Sequence, residues 1–272
     1  MRILSIAIFI CTIIIFYIFL TSGERPLIFM ATTTTRDPGL LSVLLPELEK
    51  DTGLKIKSIA FGTGKVLRSA EDGNADVILV HDPIAEEQFM KEGYGSERLA
   101  IMRNNFVLVG PSSDPADIRS SSNAREAFQK IAESNSIFIS RADQSGTHNA
   151  EMMVWKLTGY DPNDFSNERY IQTGTGMGRT LNVAIEKNAY VLTDNATWIT
   201  YENKGDHNAL FSNDELLSNT YHLITVSNEK HPHISAQNQK LVVDWFKSEK
   251  ARSVIENFKP SGQQLYFPIP RP

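Results

Sequence analysis

The chain has 272 residues, of which 41% are hydrophobic and 22% charged. That composition excludes a disordered chain and allows one large domain or two lobes with buried cores. The 27 basic and 32 acidic residues give a net charge of −5 with no basic run, which argues against nucleic acid and anionic membrane surfaces as partners.

Arg2 is followed by an uncharged apolar run, ILSIAIFICTIIIFYIFL, at residues 3–20. This is an n-region and an h-region, so residues 1–23 are expected to be a signal peptide or an N-terminal anchor. Thr21, Ser22 and Gly23 are small enough for a signal peptidase, although the A-x-A pattern is absent. Either way the rest of the chain is expected to be exported to the periplasm, free or held at the membrane by residues 3–20. The only cysteine, Cys11, lies in this segment, so the exported part has no disulfide and no thiol chemistry. Ile8, Phe9 and Ile10 are too large for the site of a lipoprotein cysteine.

Beyond it, strand and helix patterns alternate. RPLIFMA (25–31) is a short apolar strand, and LLSVLLPELEKD has helical spacing. LKIKSIAF (54–61) alternates like a half-buried strand, VLRSAED (66–72) is helical, ADVILVH (75–81) is a buried strand and IAEEQFMKEG is a helix. Repeated β-α-β implies a parallel sheet with helices on its faces. RLAIMRNNFVLVGP (98–111) is a long extended stretch that leaves the first lobe. A second alternation follows: AREAFQKIAES, SIFISR, THNAEMMVWKLTG, ERYIQT, MGRTLNVAIEKN and AYVLTD. YHLITVSN, near 220, is another extended run, then come two helical segments and a Tyr/Phe/Pro tail. Lobe I is expected over 24–110 and again over 220–272, with lobe II over 111–219. An α/β chain of two lobes joined by two extended hinge crossovers is the layout of a periplasmic-binding-protein fold, which closes on a ligand in its cleft. Trp155, Trp198 and Trp245 fall on helical patterns and are expected in cores.

Four strand-to-helix loops share one chemistry. They are Ala31–Pro38 (ATTTTRDP), Phe61–Lys65 (FGTGK), Ser140–His148 (SRADQSGTH) and Thr173–Gly178 (TGTGMG). In the first, Asp37 and Pro38 are expected to cap and start the following helix. A helix N-terminus offers unpaired N–H groups and the positive end of the macrodipole; Ser and Thr add O–H donors, and Gly allows close backbone approach. Together they can bind an oxyanion without full charge. Two loops fall in each lobe, so each lobe would supply half a cradle. Any one of them alone is equally a cap or turn. FGTGK lacks the P-loop spacing and Thr173–Gly178 lacks G-x-G-x-x-G, so no nucleotide is implied.

SRADQSGTH also invites an enzyme reading, with Ser145, Asp143 and His148 close together. Ser145 is not in G-x-S-x-G, and a His three residues on does not place a base with an orienting acid behind it. A hydrolase is therefore not expected, and His148 is expected to pack or cap. His231 and His233 have no ligand cluster at metal spacing. Neither cofactor nor metal is expected. Arg141 is the informative charge: a planar fork before a donor-rich helix start, salt-bridged to Asp143 or facing an oxyanion, or both.

These blocks resemble the tungstate-binding proteins of ABC transporters, within the wider extracellular solute-binding family. The likeness runs over residues 27–268. It is carried by ATTTTRDPGLLSVLLPELEKDTG, FGTGKVL, ADVILVHDPIAEEQF, FVLVGPSSDPADI, SRADQSGTHNAE and GTGMGRTL. It implies a monomeric exported protein that captures tungstate or molybdate and passes it to an ABC permease. It further implies that Thr33, Thr34, Thr63, Arg141, Ser145, Gly146, Thr147, Thr175 and Gly176 line the cleft. Three departures stand out: Thr35 where serine is usual, Ala142 where glycine is usual, and no arginine after the Asp of LTDNAT. R-x-D-x-S-G-T also resembles a loop of phosphate-binding proteins, whose acid accepts the proton of phosphate. Tungstate and molybdate carry no proton near neutral pH, so Asp143 is expected to pair with Arg141 or backbone donors rather than face them. The alternatives are a phosphate-binding protein of the same fold and a membrane-anchored oxyanion sensor.

Overall fold

The structure, a computed structural model, describes residues 25 to 212, 214 to 260 and 262 to 270. The expected signal peptide or anchor lies outside the described residues. Among the described residues no helix is long and apolar enough to cross a membrane.

Lobe I begins with three parallel strands, β1 (Leu27–Thr32), β2 (Ile56–Phe61) and β3 (Val77–Val80), with β1 between the other two. Parallel pairing demands long crossovers, and helices supply them. These are α1 (Thr33–Arg36) and α2 (Leu40–Thr52) after β1, α3 (Thr63–Glu71) after β2, and α4 (Pro83–Lys91) after β3. Successive residues of β1 point to opposite cores. Phe29 and Ala31 meet Leu40, Leu44 and Leu48 of α2, whereas Met30 meets Val66, Leu67 and Ala70 of α3. Coverage on both faces explains the unbroken apolar run. At the sheet's edge, β2 keeps Lys57 exposed, a charge that discourages edge pairing.

The start of α2 corrects an expectation. Asp37 and Pro38 neither cap nor open it. Thr33–Arg36 already forms a helical turn, Asp37 closes that turn, and α2 starts after Gly39. Gly39 sits at φ 94°, a left-handed geometry in which the chain changes direction and which an L side chain resists.

The crossing to lobe II is β4 (Gly95–Pro111). Then follow α5 (Ala124–Glu133), β5 (Phe138–Ser140), α6 (Gly146–Thr158), β6 (Tyr170–Gln172), α7 (Met177–Glu186), β7 (Tyr190–Asp194), α8 (Asn195–Thr200) and β8 (His207–Phe211). The chain returns through β9 (Ser218–Val226), α9 (Ala236–Phe246), α10 (Glu249–Asn257) and β10 (Phe267–Pro268). The strand order is β2-β1-β3-β9-β4-β7-β5-β6, so one twisted sheet runs through both lobes. β4 pairs with β9 up to Asn105 and with β7 from Phe106, changing lobes between those residues. The return runs alongside it, β8 pairing with Leu108–Pro111 and β9 with Gly95–Asn105.

Lobe II repeats the two-faced packing. Phe106, Leu108, Phe138, Tyr190 and Leu192 enter one core with Trp155, and Val107, Val109, Ile139 and Val191 enter the other with Leu181. The short helix α8 spans the join: Ala196 and Ile199 pack into lobe I, Trp198 into lobe II.

Candidate functional site

Helices α1, α3, α4, α6, α7 and α8 all start where a strand ends. In open α/β sheets the crevice outside the carboxyl ends of the strands is where ligands bind. Here the two lobes turn those ends toward each other and touch. The Asn149 side-chain amide on α6 donates to the Asp82 carboxylate that caps α4. Gly146, first residue of α6, lies so close to His81 that a Cβ there would be 2.9 Å from the His81 carbonyl oxygen.

The lobe II half is built on SRADQSGTH. Ser145 caps α6, its Oγ accepting the His148 N–H at 3.3 Å. That hydroxyl keeps its own hydrogen to donate. His148 Nδ1 in turn accepts the Gln144 N–H at 3.3 Å, so the ring closes the loop and is no base for Ser145. The Ser145 N–H donates to Asp143, and Asn149 N–H closes the first α-helical bond to Ser145 O. The N–H groups of Gly146 and Thr147 are then the helix start's unpaired donors among the described residues.

Arg141 lies beside them, with only 3% of its side chain exposed. Its Nε (3.2 Å) and Nη2 (2.6 Å) donate to Asp143 Oδ2, and Nη1 reaches Thr147 Oγ1 at 3.4 Å. A guanidinium has five N–H donors, so two remain. Asp143 is engaged at both oxygens, since Oδ1 accepts the Ser145 N–H at 3.2 Å. The loop folds this way at a cost: Ala142 (φ 46°) and Gln144 (φ 56°), on either side of Asp143, are both left-handed. Beneath it, Ser140 Oγ accepts the Ala142 N–H and donates to Glu151, which also accepts the Tyr170 hydroxyl at 2.7 Å. Burial pushes the Glu151 carboxyl up to about 7, against the pull of the Tyr170 and Ser140 donors.

The lobe I half is built mainly on hydroxyls, amides and an imidazole, with the Arg68 guanidinium beside Gly64 at the start of α3. Thr34 Oγ1 lies 2.9 Å from Thr32 Oγ1, 3.0 Å from His81 Nε2 and 3.3 Å from the Tyr221 hydroxyl. His81 Nδ1 faces Asn219 Oδ1 at 2.8 Å. Burial pushes the His81 imidazole down to about 4, outweighing the Asn219 bond, so the ring is neutral at physiological pH. At the start of α3, Thr63 is 1% exposed and its Oγ1 has no partner among the described residues. Thr33, half-buried, opens α1.

Contacts through His81 bring Thr34 of lobe I next to Gly146 of lobe II, with Arg141, Ser145 and Thr147 in the same loop and helix start, while Thr33 and Thr63 open helices at the strand ends of lobe I. Thr175 and Gly176 lie just ahead of α7, where the Thr175 hydroxyl turns back to Gly176 O at 3.4 Å and Gly176 is exposed. The α7 loop joins the cleft through its neighbour Thr173, which donates to Ser140 O at 3.1 Å. His81, Asn219, Asn104 and Glu151 escape sequence reasoning. No motif marks them, and the His81–Asn219 pair is 138 residues apart in the chain. Among the described residues no His/Cys/Asp/Glu group could hold a metal. His233 Nε2 instead meets Gly73 O at 3.0 Å.

The fold, with donor-rich helix starts where its lobes meet, is that of a two-lobed solute-binding protein. The PBP superfamily domain matches residues 21–250. The tungstate-binding protein TupA of Peptoclostridium acidaminophilum is 38% identical over 252 residues, 91% of this chain and 87% of that protein. The TupA structure from Desulfovibrio alaskensis G20 superposes with a TM-score of 0.79 at 38% identity, covering 91% of this chain and 100% of that one. The tungstate ABC transporter structure from Geobacter sulfurreducens gives 0.78 at 38% identity, covering 86% and 99%. The chain belongs to the PBP superfamily and, within it, to the family of these ABC-transporter solute-binding proteins. It is a binding component and not an enzyme.

Proposed function

We propose that this protein captures tungstate, or its near twin molybdate, in the interlobe cleft and delivers it as a monomer to an ABC permease. Arg141 supplies the local attraction that a net charge of −5 cannot. Ser145, Thr147, Thr63 and Thr33 hydroxyls and the N–H groups of Gly146 and Thr147 supply neutral donors. Thr34 takes part as well, and Thr175 and Gly176 close the rim from α7. Residues 3–20 carry the chain out of the cytoplasm and are then removed or kept as an anchor.

One observation carries the choice of ligand. Both oxygens of Asp143 already accept hydrogen bonds, Oδ2 from Arg141 and Oδ1 from the Ser145 N–H. The loop's carboxylate is thus committed mainly to donors of its own loop, which disfavours it as the acceptor of the proton that phosphate carries near neutral pH, whereas tungstate brings none. The preference for tungstate over sulfate follows the relatives' name and not this geometry.

Calorimetry at pH 8 against tungstate, molybdate, sulfate and phosphate tests the reading. Tungstate and molybdate are expected to bind and phosphate to give no heat. Phosphate binding without tungstate binding would overturn it.

A further inference from the structure

Glu151 is 2% exposed, and among the described residues its carboxylate is held by neutral donors alone. Ser140 Oγ donates to Oε2 at 2.8 Å and the Tyr170 hydroxyl to Oε1 at 2.7 Å. The Trp155 indole N–H lies nearby, buried and without a hydrogen-bond partner. A buried carboxylate with no countercharge is costly to keep ionised. Asp143 opposes that charge further, although its own carboxylate is paired with Arg141.

The same cluster also suits the protonated form. The single hydrogen of the Tyr170 hydroxyl has two acceptors in range, Glu151 Oε1 and, at 3.7 Å, Met152 Sδ. With Glu151 ionised, the hydroxyl donates to the carboxylate. With Glu151 protonated, the carboxyl donates to the Tyr170 oxygen, and the hydroxyl hydrogen turns to the sulfur, a weak acceptor. No heavy atom has to move. Ser140 keeps both of its bonds, to Glu151 and from the Ala142 N–H. Burial brings the carboxyl to about 7, so the two forms exchange near neutral pH.

Position ties this acid to the cleft. Glu151 follows Thr147 by four residues on α6, so it lies one turn, about 6 Å, below the helix start and on the same face. A dianion at the Gly146 and Thr147 N–H groups would stand over that face, and its charge favours the neutral acid. We propose that Glu151 takes up a proton from solvent when a dianion binds at the start of α6, so that oxyanion capture is coupled to proton uptake. The inference rests on the cleft binding such an anion. The other titratable group on this part of α6 is His148, which burial holds below its usual range and which is therefore neutral at pH 7.5.

Calorimetry of tungstate binding at pH 7.5 in HEPES and in Tris, buffers with different heats of ionisation, counts the protons exchanged. A tenfold tighter hold on the Glu151 proton gives uptake of about half a proton per tungstate, and a roughly fivefold loss of affinity from pH 6.5 to 8.5. Glu151→Gln should bind tungstate with uptake below about 0.1 proton and a nearly flat affinity across that range. Tyr170→Phe, which removes a donor to the carboxylate, should keep the uptake and move its maximum to higher pH. Heats independent of buffer in wild type overturn the proposal, and so does uptake that survives in Glu151→Gln. If Glu151→Gln fails to fold, an unmoved maximum in Tyr170→Phe overturns it. Tungstate heat without proton exchange defeats the coupling alone, whereas absence of tungstate heat in every buffer defeats the proposed function as well.

Discussion

The two halves of the cleft solve the problem of buried polarity in opposite ways. The lobe II half keeps a cation, Arg141, and locks it to Asp143 and Thr147. The lobe I half buries an uncharged network around Thr34, of hydroxyls, amides and an imidazole that burial keeps neutral. A charge is strong but indiscriminate, since it attracts any anion. A neutral network is weaker but sensitive to where each proton sits. Under the proposed function the lobe II half would supply the attraction and the Thr34 network of lobe I the discrimination, and the two would meet at the Gly146–His81 contact.

Breaking that meeting should have the largest effect. Gly146→Ala puts a Cβ 2.9 Å from the His81 carbonyl oxygen, a backbone atom that cannot swing aside. Tungstate affinity is expected to fall at least ~100-fold, by the loss of close alignment, while melting without ligand stays near wild type. Unchanged affinity in calorimetry would show that the lobes need not approach this closely.

The next comparison is by pH. Glu151 in lobe II has a folded pKa raised to about 7, so the folded state holds more protons than the unfolded one and stability falls as pH rises from about 4.5 to 7. His81 in lobe I, lowered to about 4, does the reverse: the folded state holds fewer protons and stability rises from about 4 to 6.5. Each contribution has a ceiling of roughly 3 kcal/mol, and in wild type they largely cancel. Relative to wild type, Glu151→Gln should steepen the rise of denaturant stability with pH, and His81→Gln should steepen the fall. Parallel curves for all three proteins would sink this account.

A smaller effect is expected at the clasp. Asn149→Ala removes the link to Asp82 and should speed tungstate release about five- to tenfold in stopped-flow, with little change in association, as interface changes act mainly on release. Smallest is Ala142→Gly. Its left-handed φ of 46° disfavours a Cβ, so glycine should raise stability by roughly 0.5–1 kcal/mol, read as a higher denaturation midpoint. No gain would mean that the loop is relaxed around alanine.

The architecture was legible because periodicity reports burial. The unbroken run of β1 and the alternation of LKIKSIAF both follow from what covers those strands. The placing of Arg141 and Thr147 beside one helix start capped by Ser145 was legible because it is a local arrangement. Asp143's pairing was legible for the same reason. What escaped is set by distant contacts. Thr34 looks like a free hydroxyl in ATTTT, and only His81 and Tyr221, far along the chain, show that it is tied into a buried network. Asp37–Pro38 looked like a helix start because capping residues are a local signal, while the turn already formed by Thr33–Arg36 depends on packing: Tyr266, from the C-terminal tail, bonds Thr34 O at 2.7 Å.

The short helix α8 across the join gives the molecule a built-in optical reporter. Trp198 is packed into lobe II, with Lys204 Nζ 5.3 Å from its ring, while its helix neighbours Ala196 and Ile199 belong to lobe I. Any hinge motion must shear that helix against one core or the other and alter the indole's surroundings. Trp155 and Trp245 lie deep within a single lobe each and should stay silent. Opening and closing can therefore be followed by the protein's own fluorescence, without a label.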